Sequence, residues 1–164
     1  MLFEDHELFD AIPRSNRLQS APALAIARGT SRLLASLGYS CVSELILPSG
    51  RRADLTAIDR KGEIWIVEIK SSIGDFRADR KWMDYRTHCD RLFFATTTGV
   101  PCEIFPPDAG LIVADGFGAE IKCQAPEHRL PPATRRAMTL AVARAASLRL
   151  QALFDPSGPY GDEI

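Results

Sequence analysis

The run of apolar side chains in residues 63–70, EIWIVEIK, constrains the fold more than any other part of this sequence. Its content of Ile, Val and Trp favours a β-strand. Side chains alternate along a strand, so Ile64 and Ile66 share one face with Glu68 and Lys70, and the opposite face is apolar as well. A strand that is apolar on both faces is typical of the interior of a sheet covered on both sides. Residues 63–70 therefore predict a central strand in a layered α/β fold.

The rest of the chain supplies elements that fit such a fold. Periodicity, capping residues and turn formers predict helices at 23–37, 76–89 and 133–154, strands at 41–47, 53–58, 63–70 and 91–97, and a hairpin of strands at 110–114 and 119–123. The order αβββαβ, followed by a hairpin and a helix, predicts a mixed β-sheet flanked by helices. We interpret residues 20–154 as one domain, residues 1–19 as an N-terminal arm and residues 155–164 as a disordered tail.

The composition narrows the class of protein. A chain of 164 residues fits one domain with its own core, and no apolar run approaches the length of a membrane span. The first ten residues are rich in acidic side chains and lack the pattern of a secretory signal, which favours a cytoplasmic location. The formal net charge of -1 excludes a uniformly basic protein that coats nucleic acid, so any contact with DNA must be local.

The turn between the second and third strands predicts their register. A three-residue loop at 60–62, with its glycine in the left-handed conformation, pairs Asp59 with Glu63. The same register places Asp54 opposite Glu68. Two carboxylates that face each other across a strand pair repel unless a positive group lies between them.

A divalent cation fits between these two carboxylates. Mg²⁺ prefers hard oxygen ligands, so Asp54, Glu68, a main-chain carbonyl and a substrate phosphate form a reasonable set of ligands. Lys70 lies two positions beyond Glu68 on the same face, where its ammonium could hold the attacking water and stabilise negative charge on phosphorus. The alternative is a surface hairpin in which Glu68 and Lys70 form an incidental salt bridge and Asp54 is simply solvated.

Basic side chains lie close to this pair in the sequence. Those that are candidates for contacts with DNA phosphates are Arg51, Arg52, Arg77, Arg80 and Lys81. Trp82 and Tyr85 could stack on bases, but their place in an apolar helical stripe favours packing in the core.

The spacing of these residues resembles two related groups of proteins. Arg52-Ala53-Asp54, followed across a hairpin by Glu68-Ile69-Lys70, resembles the motif of the PD-(D/E)XK nuclease superfamily, with Ala in place of Pro. More closely, residues 24–154 resemble the MmcB-like family of bacterial DNA repair proteins. The residues that carry this second resemblance are Gly50-Arg51-Arg52-Ala53-Asp54, Glu68-Ile69-Lys70-Ser71-Ser72, Asp75-Phe76, Lys81-Trp82, Asp84-Tyr85 and Leu130-Pro131-Pro132-Ala133.

The resemblance implies a restriction-endonuclease-like core, a site for Mg²⁺ or Mn²⁺, and a role in the DNA-damage response. It implies DNA as the partner, together with translesion-synthesis or other repair proteins. On the pattern of the superfamily, Asp54, Glu68 and the carbonyl of Ile69 would be metal ligands. Lys70 would be the catalytic lysine.

One departure from that pattern concerns a further carboxylate. Many members of the superfamily contribute a Glu from the first helix, but residues 23–37 contain no carboxylate. Glu44, on the first strand, is the nearest substitute. It either faces the same site as Asp54 or forms a salt bridge at the rim.

Three functions agree with these residues. The first is a DNA nuclease that depends on Mg²⁺ or Mn²⁺, in which an activated water attacks phosphorus in line. The second is a non-catalytic DNA-binding or recruiting module, which the near-neutral charge and the missing helix carboxylate favour. The third is an enzyme acting on another phosphate ester, and it ranks last because the sequence has no glycine-rich phosphate loop.

Overall fold

The computed structural model describes residues 20–160, which form three α-helices, two 3₁₀ helices and six strands. The α-helices are α1 (Ala21–Ser36), α2 (Ile73–Ala78) and α3 (Pro132–Phe154), and the 3₁₀ helices are Trp82–His88 and Cys102–Ile104. The strands are β1 (Ser40–Ile46), β2 (Arg52–Ile58), β3 (Ile64–Ile69), β4 (Arg91–Thr96), β5 (Gly110–Ala114) and β6 (Ala119–Cys123).

The six strands form one mixed sheet in the order β1-β2-β3-β4-β5-β6. β1, β2 and β3 are antiparallel neighbours, β3, β4 and β5 are parallel neighbours, and β6 returns antiparallel to β5. The two parallel pairs need crossovers, which α2 with the first 3₁₀ helix and the loop 97–109 provide. The predicted αβββαβ order with a C-terminal hairpin and helix is confirmed.

The core lies on both faces of this sheet. On one face, Ile26 and Leu34 of α1 pack in a cluster with Val67 of β3. On the other face, Met138 of α3 packs in a cluster with Ile66. All six residues of β3 are buried, as expected for a strand covered on both sides. Glu68 and Lys70 therefore lie on a covered strand and not on a solvated hairpin.

The predicted helix at 76–89 is wrong, because this segment is divided. α2 begins after Ser72, whose side chain accepts a hydrogen bond from the N–H of Asp75, and ends at Ala78. Asp79 then adopts an extended conformation, and a 3₁₀ helix follows three residues later. Phe76 of α2 and Trp82 of the first 3₁₀ helix both pack against Phe94 of β4.

The boundaries of the other predicted elements agree with the structure within one or two residues. Within the proposed tail, residues 155–160 form a turn in which the Tyr160 hydroxyl donates to Asp155 Oδ2 at 3.2 Å. Residues 161–164 and the proposed arm at 1–19 lie outside the described residues. Across residues 20–160, none of the helices has the length and apolar character required to span a membrane.

Candidate functional site

The site begins with the β2–β3 hairpin, whose register agrees with the prediction. Leu55 is paired with Val67 and Ile58 with Ile64, which places Asp54 opposite Glu68. Gly62 has a φ of 81°, in the left-handed region that glycine adopts without steric penalty.

Asp54 and Glu68 each accept a hydrogen bond from a backbone N–H of the neighbouring strand. The N–H of Asp54 donates to Glu68 Oε1 at 3.2 Å, and the N–H of Ile69 donates to Asp54 Oδ2 at 2.8 Å. Each carboxylate thus uses one oxygen in a hydrogen bond to a backbone amide. These bonds hold both side chains on the same face of adjacent strands, as the register requires.

Burial makes this carboxylate pair electrostatically unfavourable. Glu68 is only 3% exposed, and burial together with the charge of Asp54 raises its pKa to about 8. Burial also raises the pKa of Asp54, although the hydrogen bond from Ile69 and the charge of Lys70 act in the opposite direction. A positive charge close to both groups would restore their ionised forms.

Lys70 brings one positive charge to the pair from the end of β3. Its side chain is buried, and its Nζ lies 2.7 Å from Asp79 Oδ2 and 3.9 Å from Glu68 Oε2. Burial alone would lower the pKa of Lys70, but the hydrogen bond to Asp79 and the charge of Glu68 outweigh it and raise that pKa. Lys70 therefore carries its charge beside Glu68 while hydrogen-bonded to Asp79.

Asp79 is a member of the site that the sequence analysis missed. Burial tends to raise its pKa, but hydrogen bonds from Lys70 and from the N–H of Lys81 hold the pKa of Asp79 below its usual value. Its place at the end of α2 depends on the break in the predicted helix 76–89. The local signal that could have revealed this break is the Asp-x-Lys segment, since Asp side chains often accept a bond from the N–H two residues on.

Glu44 lies close to Asp54 from the other side. The register of β1 and β2 places it opposite Asp54, its charge raises the pKa of Asp54, and it is 5% exposed. Its Oε1 is 3.6 Å from Arg52 Nη2, so it forms a salt bridge, and its charge also acts on Asp54. Glu44 has a φ of 48°, a conformation that non-glycine residues adopt rarely and that clusters at functional sites.

The candidate DNA-binding residues fall into two groups. Arg51 and Arg52 are engaged: Arg51 Nε donates to Asp84 Oδ2 at 2.7 Å, and Arg52 pairs with Glu44. The side chains in the second group are exposed and form no salt bridge within residues 20–160; they are Arg77, Arg80 and Lys81.

The two aromatic residues weighed as base-stacking candidates belong to the core. Tyr85 is 9% exposed, and its hydroxyl donates to the carbonyl of Arg52 at 3.1 Å. Trp82 packs edge-on against Phe94, with ring centroids 5.5 Å apart. Their packing ties the first 3₁₀ helix to β2 and β4, next to the site.

The donor set suits a hard divalent cation such as Mg²⁺ or Mn²⁺ and not a metal that prefers thiolate or imidazole ligands. Within the described part of the chain, no group of three or more His, Cys, Asp and Glu side chains could hold a metal ion. The half-buried Asp54 and the buried Glu68 offer carboxylate oxygens whose charges repel each other. Mg²⁺ accepts such a sparse set, because it commonly keeps several waters and binds through one or two carboxylates together with substrate phosphates.

Comparison with known proteins identifies the family to which this chain belongs. The chain is similar in structure to the SPO1766 protein of unknown function from Silicibacter pomeroyi, with a TM-score of 0.82 and 43% sequence identity over 86% of this chain and 97% of that one. A search of the curated proteins found no significant match. The model of the family described as DNA repair protein MmcB-like matches residues 10–157, which include every site residue described above. The resemblance noted in the sequence is thus confirmed, and the chain belongs to the MmcB-like family of DNA repair proteins.

Proposed function

We propose that this DNA repair protein is a phosphodiesterase that cleaves DNA with the help of Mg²⁺ or Mn²⁺. The observation that carries the proposal is the pair formed by the buried Glu68 and the half-buried Asp54, which face each other on adjacent strands beside the ammonium of Lys70. Buried carboxylates with raised pKa values are typical of functional sites, because a pair of like charges has no structural advantage in a core.

Asp54 and Glu68 would hold the cation, with the carbonyl of Ile69 as the proposed third protein ligand. Each carboxylate has one oxygen bonded to a backbone N–H, so its second oxygen can face a cation while the first keeps the side chain oriented. When bound, the cation would supply charge neutralisation at the phosphate and a water of lowered pKa. Glu44 lies beside Asp54 and would add negative charge that attracts the cation.

Lys70 is the proposed catalytic lysine. Its ammonium lies 3.9 Å from Glu68 Oε2, close to where the phosphate would meet the carboxylate pair. A positive group held there in advance stabilises the negative charge that develops on phosphoryl oxygens in the transition state. Because the surroundings already orient Lys70, little reorganisation accompanies the reaction.

DNA would approach over the exposed basic side chains in the last turn of α2 and directly after it. Arg77, Arg80 and Lys81 are exposed, and Asp79 in the same segment contacts Lys70. Contacts with phosphates position nucleic acid without reading its sequence, which suits a repair protein that acts on many sites.

The test compares cleavage with binding in one variant. Lys70→Met should lower DNA cleavage on the order of a hundredfold to a thousandfold, because the lost charge acts mainly in the transition state, and should change DNA affinity little. Cleavage is measured with Mg²⁺ and with Mn²⁺ on single-stranded, nicked, flapped and branched DNA, and affinity by fluorescence anisotropy. Lys122→Met, which removes an exposed lysine of β6, is the matched control and should cleave like the wild type.

A second function, a non-catalytic DNA-binding or recruiting module, is favoured by the Lys70–Asp79 ion pair. In a module without catalysis, Asp79 would simply neutralise the buried charge of Lys70. If the wild type binds DNA but cleaves none of these substrates with either metal, the nuclease proposal is wrong and the module becomes the better account. Its proposed partners are translesion-synthesis or other repair proteins.

A further inference from the structure

Lys70 lies between two carboxylates that it contacts unequally. Its Nζ is within hydrogen-bonding distance of Asp79 Oδ2, at 2.7 Å, but is 3.9 Å from Glu68 Oε2, which is beyond a hydrogen bond. A charge-assisted hydrogen bond between an ammonium and a carboxylate is about 2.7 to 2.9 Å long, so Lys70 makes one to Asp79 and none to Glu68. The longer distance to Glu68 therefore needs a cause.

The cause is the way in which Asp79 is held. Its Oδ1 accepts a hydrogen bond from the N–H of Lys81 at 3.0 Å, and its Oδ2 accepts the bond from Lys70. The N–H of Asp79 donates to the carbonyl of Phe76, where α2 ends. Both carboxylate oxygens and the backbone are thus in fixed contacts, so Asp79 is an anchored acceptor that keeps the Lys70 ammonium at 2.7 Å while Glu68 Oε2 lies at 3.9 Å.

We infer that Asp79 is a positioning residue that holds the Lys70 ammonium away from Glu68, so that the Asp54–Glu68 pair stays open to a divalent cation. The inference rests on the proposed function, because it gives Asp79 its role through the lysine and the cation site. Without Asp79, Lys70 would close onto Glu68 and compete with the cation for the carboxylate. Lys70 would also leave the position from which it acts on the phosphate.

The first test is a crystal structure of the Asp79→Asn variant. The Asn oxygen can still accept from the N–H of Lys81, while the amide NH₂ no longer offers Lys70 an acceptor. Lys70 Nζ should then move to about 2.8 Å from Glu68 Oε2, the usual length of a charge-assisted hydrogen bond. A variant in which Lys70 Nζ keeps its position relative to Glu68 would overturn the inference.

The second test measures Mn²⁺ affinity by calorimetry without DNA. Asp79→Asn should weaken Mn²⁺ binding about tenfold, the lower end of what the loss of a supporting residue around a metal ligand produces. The matched control is Asp59→Asn, because Asp59 Oδ1 accepts from the N–H of Lys61 in the same way but lies at the other end of the β2–β3 hairpin. This control should bind Mn²⁺ like the wild type.

A double-mutant cycle separates positioning from a simple effect of charge. In a Lys70→Met background there is no ammonium to hold, so Asp79→Asn should have no further effect on Mn²⁺ affinity. If Asp79→Asn weakens Mn²⁺ binding equally in both backgrounds, Asp79 acts by its charge alone and the inference is wrong.

The two proposals fail in distinguishable ways. A wild type that binds no Mn²⁺ and cleaves no DNA contradicts the nuclease proposal, and the position of Lys70 in the Asp79→Asn crystal structure still decides whether Asp79 orients the lysine. A wild type that binds Mn²⁺ and cleaves DNA, with an Asp79→Asn variant that matches it in both, contradicts only the role of Asp79.

Discussion

At the scale of single residues, the surroundings of the Glu68 carboxyl group disfavour its ionised form. It is buried in β3 and faces Asp54, so its pKa rises to about 8. The N–H of Asp54 donates to it, and Lys70 lies too far away for a direct hydrogen bond. Glu68 therefore takes up a proton at neutral pH unless a cation binds, and binding of a cation should release that proton.

This shift makes the stability of the protein depend on pH. The folded state binds the Glu68 proton more tightly than the unfolded state, whose pKa is close to 4.5. The contribution of Glu68 to stability is therefore complete below pH 4.5 and is lost as the pH rises through about 8. The free energy of unfolding of the wild type should fall in this window relative to Glu68→Gln, by at most about 1.4 kcal/mol per pH unit.

Denaturant unfolding in the presence of EDTA, from pH 4 to pH 9, measures this difference. The raised pKa of Glu68 would be contradicted if the free energies of unfolding of Glu68→Gln and the wild type differ by the same amount at every pH. Mg²⁺ should reduce the slope, because it stabilises the ionised form of Glu68.

At the scale of elements, Asp90 joins β3, β4 and α3. The residue lies just before β4, and its carboxylate accepts hydrogen bonds from the N–H of Ile64 at 2.8 Å and from the N–H of Leu130 at 2.9 Å. Arg135 of α3 donates to both oxygens of the same carboxylate, at 2.8 and 2.7 Å. These four bonds fix the long C-terminal helix against the start of the strand that carries Glu68.

Asp90→Asn should destabilise the fold strongly. The amide NH₂ replaces one acceptor, so a backbone N–H is left unpaired and Arg135 loses its bidentate partner. Asp90 is buried while Arg135 is half-buried, and a buried donor left without a partner costs about 1 to 3 kcal/mol. Urea unfolding measures the loss, with Glu120→Gln as the control because its salt bridge to Lys122 lies on the surface. A midpoint equal to that of the control would show that Asp90 does not hold these elements together.

At the scale of the whole molecule, the charge is nearly balanced, with 20 basic and 21 acidic residues. If the protein binds DNA as proposed, its affinity must therefore come from a local basic surface and not from the net charge. The exposed Arg80 and Lys81 follow Asp79 directly, which places that surface beside the site.

Replacing Arg80 and Lys81 together with alanine should weaken DNA binding and reduce its salt dependence. Each lost phosphate contact lowers the slope of log affinity against log salt by about 0.7 to 0.9. The matched control replaces Arg60 and Lys61, an exposed pair of the same composition in the β2–β3 turn. That turn lies about 17 Å along the strand from Asp54. DNA affinity is measured by anisotropy from 50 to about 200 mM salt. If both double variants lose DNA affinity equally, DNA does not prefer the side of the molecule that holds the site.

The features of this protein that depend on short stretches of sequence could be predicted without the structure. The apolar run of β3 predicts a covered strand, and Gly62 with Asp59 predicts the hairpin register that brings Asp54 opposite Glu68. Helix α3 follows from its composition. These signals suffice because strand alternation and turn geometry act over a few residues, so the two carboxylates could be paired without knowledge of the rest of the fold.

The surroundings of Asp54 and Glu68, in contrast, depend on tertiary packing. The break at Asp79, which places a carboxylate on Lys70, arises where α2 meets the sheet, and the sequence pattern indicated an unbroken helix there. The left-handed conformation of Glu44 and the bond between Asp90 and Arg135, 45 residues apart, have no local signal in the sequence. Such contacts form only after separate elements pack together. Burial makes an unpaired charge costly, so a buried charged group pairs with whichever opposite charge the packing brings near it.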